Sequence, residues 1–342
     1  MRRTSFRNTE HTSVDELADY LRSVFFDNPW SGDRVPSLVY ENGNGDLVGF
    51  LGVIARPMLF DGRPITSAVL STFMVHHEHR GKGIGRDLMQ HYFDGPQEFS
   101  WSDVANTATR AVWRSLGGRT TWLYNLYWTR PIRPLRSASA AWKDGRVGRL
   151  ARLAVRPIAA AMDPLAVRLP GMPQQIARPK GSIEPLSSEA IEQAADELLS
   201  DYSVRPVYSA SAMTWLGAQL ADRPFGRFQR VLVRREDGTV AGWFMYFVNP
   251  RGTGEVVQIV VGKNDAGLVL DHLIQHAWNA GVVTLAGRLD PRLLTDMSSR
   301  GFRFARADPW VLLHSRNPAL TDAIQNGDAF LSRLEGEWWM GA

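Results

Sequence analysis

The sequence predicts an α/β (α+β) protein of two domains, and three observations carry this. The chain has 342 residues, more than one hydrophobic core usually holds. Strand-like apolar runs alternate with segments of helical period, and this order is run through twice. A basic, proline-rich stretch separates the two passes, dividing the chain into 1–129, a connector at 130–181, and 182–342.

In the first segment, Ser13 and Glu16 form a capping box ahead of Leu17, Leu21, Val24 and Phe25 at helical spacing. Ser37 to Glu41 and Leu47 to Ile54 read as strands joined by the turn Asn42-Gly43-Asn44-Gly45-Asp46. A strand at 65–75, a helix at 85–93, a strand at 98–104, a helix at 107–116 and a last strand at 120–128 follow.

The connector has prolines at 131, 134, 157, 164, 170, 173 and 179, a density that breaks regular structure. It also holds eleven Lys/Arg against Asp144 and Asp163, so the net charge of +4 hides a basic connector and an otherwise acidic chain. Within it, Arg146, Arg149, Arg152 and Arg156 alternate with Val147, Leu150, Leu153 and Ile158, one cationic and one apolar face over 146–158. Such a helix suits either packing within the protein or peripheral contact with an anionic, inner membrane surface. With the remainder acidic and no recognition motif, nucleic acid is not an expected partner.

In the last segment, a helix at 188–202 is capped by Ser187 or Ser188, and Arg230 to Arg235 and Val240 to Val248 flank the hairpin signal Asp237-Gly238. A strand at 255–261, helices at 268–279 and 291–300, and strands at 282–285 and 310–314 complete it. Trp338 and Trp339 read as anchors on a core or as a ligand platform. The chain has no cysteine, which removes disulfides and thiolate chemistry and fits a reducing, cytoplasmic setting. The basic N-terminus lacks the apolar run of a secretory signal, and no stretch of 18 apolar residues follows.

The most informative stretch is Val75-His76-His77-Glu78-His79-Arg80-Gly81-Lys82-Gly83-Ile84-Gly85-Arg86. A strand ends, a glycine-rich loop follows and a helix begins, a junction at which free backbone N–H groups and the helix dipole hold a pyrophosphate. Gly83 and Gly85 let the backbone come close to a ligand, and Arg80, Lys82 and Arg86 add positive charge. The spacing Arg80-x-x-Gly83-x-Gly85 resembles the pyrophosphate loop R/Q-x-x-G-x-G/A of the GNAT superfamily of acyltransferases. Downstream, Asn106, Trp113 and Gly117 resemble the family helix N-x-x-A-x-x-x-Y-x-x-x-G-F, with tryptophan in place of tyrosine and Gly118 in place of the aromatic.

The resemblance implies two GNAT-like acyl-CoA acyltransferase domains, each a mixed, mostly antiparallel sheet flanked by helices. It implies a site for acetyl-CoA or another acyl-CoA at Phe73, Val75, Arg80, Gly81, Lys82, Gly83, Ile84, Gly85, Arg86, Asn106 and Trp113, with no metal. Backbone amides around Phe73 to Val75 would hold the oxyanion. Asn106 is either a cofactor contact or a helix cap. Indole does not ionise usefully, so Trp113 is no general acid.

The base is expected at Asp103, whose other reading is a structural carboxylate. His76, His77 and His79 read as loop or cofactor-rim residues. The second domain carries Asp265 at the equivalent junction, which would repel a pyrophosphate, so that domain is expected to be degenerate. The activity implied is an acyl-CoA-dependent N-acyltransferase acting on an amine of a small molecule or sugar. The alternatives are a non-catalytic coenzyme A-binding module and an O-acyltransferase for a cell-surface glycan precursor.

Overall fold

The computed structural model describes residues 14–32, 35–140, 162–164, 176, 178–306 and 309–340. The expected cap Ser13 and the expected helix at 146–158, with its membrane contact, lie outside these residues.

Helix α1 (Val14–Phe25) carries Asp15 and Glu16 in its first turn and Arg22 in its last, as the helix dipole prefers. Strands β1 (Leu38–Glu41), β2 (Leu47–Phe60) and β3 (Arg63–Val75) form an antiparallel meander. β2 runs past the expected end at Ile54. Arg56 is buried there, its guanidinium donating to the Leu334 carbonyl and lying 3.9 Å from the Trp30 ring. Asp61 and Gly62, at φ 49° and 77°, then turn the hairpin.

Helix α2 (Ile84–Phe93), strand β4 (Phe99–Ala105) and helix α3 (Thr107–Ser115) follow as expected. The strand expected at 120–128 is instead two, β5 (Arg119–Thr120) and β6 (Leu126–Pro131), parted by a 3-10 turn at Leu123–Asn125. Next come α4 (Pro134–Ala140), β7 (Ser182–Pro185), α5 (Ser188–Leu198), β8 (Val204–Pro206) and α6 (Ala210–Ala221). Ser187 caps α5 by accepting the Ala190 N–H. The chain ends with β9 (Arg227–Arg234), β10 (Val240–Val248), β11 (Thr253–Val261), α7 (Ala266–Asn279), β12 (Thr284–Arg288), α8 (Leu294–Ser299), β13 (Arg303–Arg306), β14 (Trp310–Ser315) and α9 (Pro318–Gln325).

Two seven-stranded sheets result, in the orders β1-β2-β3-β4-β14-β5, with β8 on β2, and β13-β6-β12-β11-β10-β9-β7. In each, one neighbouring pair is parallel, β3 with β4 and β11 with β12. The duplication inferred from element order is therefore visible in the sheets. Each sheet also takes one strand from far away in sequence: β14 sits between β4 and β5, and β6 between β12 and β13.

The compact units are accordingly interleaved. One is Met1–Asn125, Ser200–Asp222 and Ala307–Ala342; the other is Leu126–Leu199 and Arg223–Arg306. The consecutive division at 129 and 181 is corrected by this pairing. Hydrophobic alternation identifies a strand but not the sheet it joins. The first unit packs Val53, Leu70, Leu88, Trp113 and Leu312 into its core; the second packs Trp128, Phe244, Leu273 and Leu285.

Candidate functional site

In the first unit β3 and β4 pair only at Ser67–Val69 with Phe99–Trp101. Beyond those residues the two parallel strands separate. The cause lies partly in β3, where Thr72 and Phe73 both stand opposite Leu51, because the register slips between Phe50–Met74 and Gly52–Ser71. Thr72 has φ 56°, a conformation uncommon for a β-branched residue. Such a bulge leaves the extra residue out of the ladder and turns its backbone groups aside.

At the end of β3 the chain makes a 3-10 turn (His77–His79) and enters α2. Gly81 and Gly83 have φ 79° and 89°, values that glycine adopts without strain, and a Cβ at either would meet no protein atom within 4 Å. Gly85 serves differently: its Cβ would come 3.2 Å from the Phe73 ring, so it lets the helix lie close on β3. Gly83 caps α2 without a side-chain acceptor, leaving the first N–H groups and the positive dipole end to external partners. Two guanidiniums flank them, Arg80 bonding the Val75 carbonyl at 3.2 Å and Arg86 bonding Ser115 Oγ at 3.2 Å.

This cradle forms one end of a cavity of about 670 Å³ lined by Phe73, Val75, His79, Arg80, Gly81, Gly83, Ile84, Gly85, Arg86, Asn106 and Thr109, among others. A second cavity of about 180 Å³ adjoins it in the strand splay, lined by Leu70, Ser71, Thr72, Ser102, Val104, Glu337 and Met340, among others. Phe73, Asn106 and Thr109 border both. Asn106 caps α3, its side chain accepting the Thr109 N–H at 2.9 Å, and it also lines the larger cavity.

Three expected residues stand elsewhere. Lys82 is exposed and lines neither cavity. Trp113 is fully buried, packs edge-on against Phe93 with centroids 4.8 Å apart, and donates its indole N–H to the Leu313 carbonyl at 3.0 Å. It is a core residue and not a cavity wall, which is why an aromatic without an ionisable hydroxyl suffices there. Asp103 is also fully buried and lines neither cavity; it accepts the Glu337 backbone N–H at 2.7 Å. The structural reading of Asp103 is the one the geometry favours.

Glu337 is the residue that sequence reasoning passed over. It lies 234 positions from Asp103, in a segment read only for its tryptophans. Its carboxylate accepts hydrogen bonds from Ser102 Oγ and from the Ser71 hydroxyl, on either arm of the splay. Glu337 is half-buried and lines the smaller cavity. Burial, aided by the Asp103 charge, pushes it up to about 8, against the pull of its hydroxyl and backbone donors. Trp339 anchors the segment, packing edge-on against Trp215 with centroids 5.7 Å apart.

In the second unit the equivalent junction is closed by its own side chains. Asp265 stands at the start of α7, and Arg235 donates to it through Nε at 3.0 Å and through its terminal nitrogen. A Cβ at Gly262 would come 2.7 Å from Asp265 Oδ2, so the carboxylate occupies the turn itself.

The acetyltransferase (GNAT) family matches this chain over residues 4–117. No curated protein matches it. Among solved structures, an N-acetyltransferase of the GCN5-related type from Anabaena variabilis is 14% identical with a TM-score of 0.56, covering 89% of this chain and 67% of its own. A probable N-acyltransferase from Enterococcus faecalis is 13% identical with a TM-score of 0.54, covering 88% and 69%. N-myristoyltransferase of Saccharomyces cerevisiae, solved with myristoyl-CoA and inhibitors, is 12% identical with a TM-score of 0.50, covering 94% and 85%. At such identities the likeness is one of fold. No helix among the described residues is long and apolar enough to cross a membrane.

Proposed function

We propose that this chain, whose residues 4–117 match the acetyltransferase (GNAT) family, transfers an acyl group, acetyl in the first instance, from acyl-coenzyme A to an amine of a small molecule or sugar. The observation that carries the reading is the continuity of two unlike spaces across Phe73, Asn106 and Thr109. One has an uncapped helix N-terminus, two glycines at positive φ and two arginines, which suits a pyrophosphate. The other lies between separating strands beside a backbone bulge, where a thioester carbonyl could meet N–H donors.

In this reading Arg80, Gly81, Gly83, Ile84, Gly85 and Arg86 hold the phosphates, and Phe73, Val75 and Asn106 line the path of the pantetheine arm. Coenzyme A supplies an activated acyl group. The chain orients that group and polarises its carbonyl. A thiol ionises far more readily than an alcohol and can depart as thiolate, so a missing tyrosine acid does not forbid transfer.

The test is calorimetry with acetyl-CoA followed by free-thiol release in the presence of amine acceptors, glucosamine among them. Binding with acceptor-dependent thiol release is expected. No binding would refute the reading, and binding without release from any acceptor would leave a coenzyme A-binding module in its place.

A further inference from the structure

We infer that Glu337, carried by the C-terminal segment, is the general base of the transfer and takes the proton of the acceptor ammonium in the smaller cavity. The inference rests on the acyl-transfer reading above, and it assigns the step to a residue outside the matched stretch 4–117.

Attack on a thioester requires a neutral amine, whereas a free alkyl amine is protonated near neutral pH. A base must therefore stand at the reacting end of the site, open to it and fixed in direction. Glu337 meets these conditions. Its carboxyl lies across the splay, bonded to Ser71 on β3 and Ser102 on β4, and it lines the same cavity as Thr72 and Phe73 of the bulge. Its backbone is held as well. Asp103 accepts its N–H, and Gly336 lies so close to Asp103 that a Cβ there would come 2.2 Å from the carboxyl carbon. Farther along, Tyr20 donates to the Met340 carbonyl at 3.1 Å.

The neighbouring ionisable groups do not compete. Asp103, from β4, is committed to the Glu337 backbone and lines neither cavity. Tyr92, from α2, donates to the Ala68 carbonyl and is held protonated well above its ordinary value by burial. On its own segment Glu335 accepts from Tyr208 and the Ser332 N–H and faces Arg56. A carboxyl pushed up towards neutral by burial and by Asp103 has the basicity the step needs.

The step balances as follows. The Glu337 carboxylate removes one proton from the ammonium. The amine nitrogen bonds to the thioester carbon, and the C–S bond breaks with its electron pair leaving on sulfur. Of the two protons left on nitrogen one goes to the thiolate and the other stays on the amide, giving amide and free coenzyme A, and Glu337 returns its proton to water.

The experiment compares the parent with Glu337→Gln and Glu337→Asp, using acetyl-CoA and cadaverine, an alkyl amine that titrates like lysine near about 10.4, and reading thiol release from pH 6 to 10. Glu337→Gln is expected to lose about 10²–10⁴-fold in kcat/KM with coenzyme A affinity unchanged, and Glu337→Asp to recover part of it. The parent rate should level off above about pH 8, while the Gln variant should keep rising tenfold per pH unit with the free amine.

Independently of turnover, a carboxyl signal in glutamate-labelled protein should titrate near pH 8, shift when acetyl-CoA is added, and be missing from Glu337→Gln. Equal rates in parent and Gln variant, or a Glu337 signal that titrates below pH 6, would overturn the assignment. If cadaverine is not accepted, the carboxyl titration and its response to acetyl-CoA decide. Failure of the parent to bind acetyl-CoA would instead sink the underlying reading.

Discussion

Gly83 separates backbone strain from ligand charge, because a second glycine in the same unit provides the control. Gly83 has φ 89° and Gly62 has φ 77°, and a Cβ at either would meet no protein atom within 4 Å. Alanine at either position should therefore cost the left-handed backbone strain alone, about 1–2 kcal/mol. For a unit of this size that lowers the unfolding midpoint by roughly 2–8 °C.

The two sites differ in what faces them. Gly62 turns the β2–β3 hairpin, whereas Gly83 stands at the uncapped start of α2 between Arg80 and Arg86. In Gly83→Asp a carboxylate about 6 Å from a bound phosphate, at an effective dielectric near 20, is repelled by about 3 kcal/mol. That predicts a loss of about 10²-fold in coenzyme A affinity. Gly62→Asp should suffer the same strain and bind as the parent does. Titration calorimetry at low and high salt is the assay, and the deficit of Gly83→Asp should shrink as salt screens the charge. Unchanged affinity in Gly83→Asp, or an equal loss in Gly62→Asp, would refute the placement of the anion.

Three further outcomes follow from the same geometry. Coenzyme A should saturate at one molecule per chain, because the Asp265–Arg235 pair closes the second junction; a stoichiometry of two by calorimetry would refute this. Trp113→Phe should lower stability by about 1–3 kcal/mol in denaturant titration, through lost volume and the lost indole hydrogen bond to Leu313, while leaving coenzyme A affinity intact. Weakened binding in a stable Trp113→Phe would restore it to the ligand wall. Asp103→Asn keeps an acceptor for the Glu337 N–H but removes the charge that helps raise Glu337, so the pH–rate limb should move to lower pH rather than vanish; an unmoved limb would deny the coupling.

What the sequence disclosed here was local. The run from Val75 to Arg86 announces strand, turn and helix within a dozen positions, and the structure builds a cavity end from it. The order of strands and helices likewise told of a duplication, since each half had to bury a sheet of its own. Long-range pairing was not legible. Trp310 to His314 reads as a strand of the last segment, yet it pairs with β4 of the first unit because its register, not its position, decides its neighbours. Glu337 was hidden for the same reason. Glu337, in Glu335-Gly336-Glu337-Trp338, belongs to no motif, and only the fold brings Ser71 and Ser102 against it. Asp103 and Trp113 both turn inward, which for Asp103 is its structural reading.

A base kept in such surroundings carries a cost in stability whose sign is fixed. The Glu337 carboxyl titrates near the ordinary carboxylate range when the chain is unfolded and is pushed up to about 8 when it is folded. Between those values the folded state holds a proton that the unfolded state has released, so stability falls as pH rises from about 4.5 to about 8 and is level outside that window. Glutamine does not titrate and keeps the carbonyl acceptor for the serine hydroxyls. Glu337→Gln should thus match or fall below the parent at pH 5 and exceed it at pH 8.5. Because the side chain is partly open to the cavity, the swing is discounted to about 1–2 kcal/mol, or roughly 2–8 °C in the unfolding midpoint. Thermal unfolding of both proteins across pH 5 to 9 measures it. A difference between them that stays flat over that range would mean that Glu337 ionises normally in the folded protein. A rising one would pair gained stability with lost turnover in the same substitution, as expected of a carboxylate kept for its chemistry.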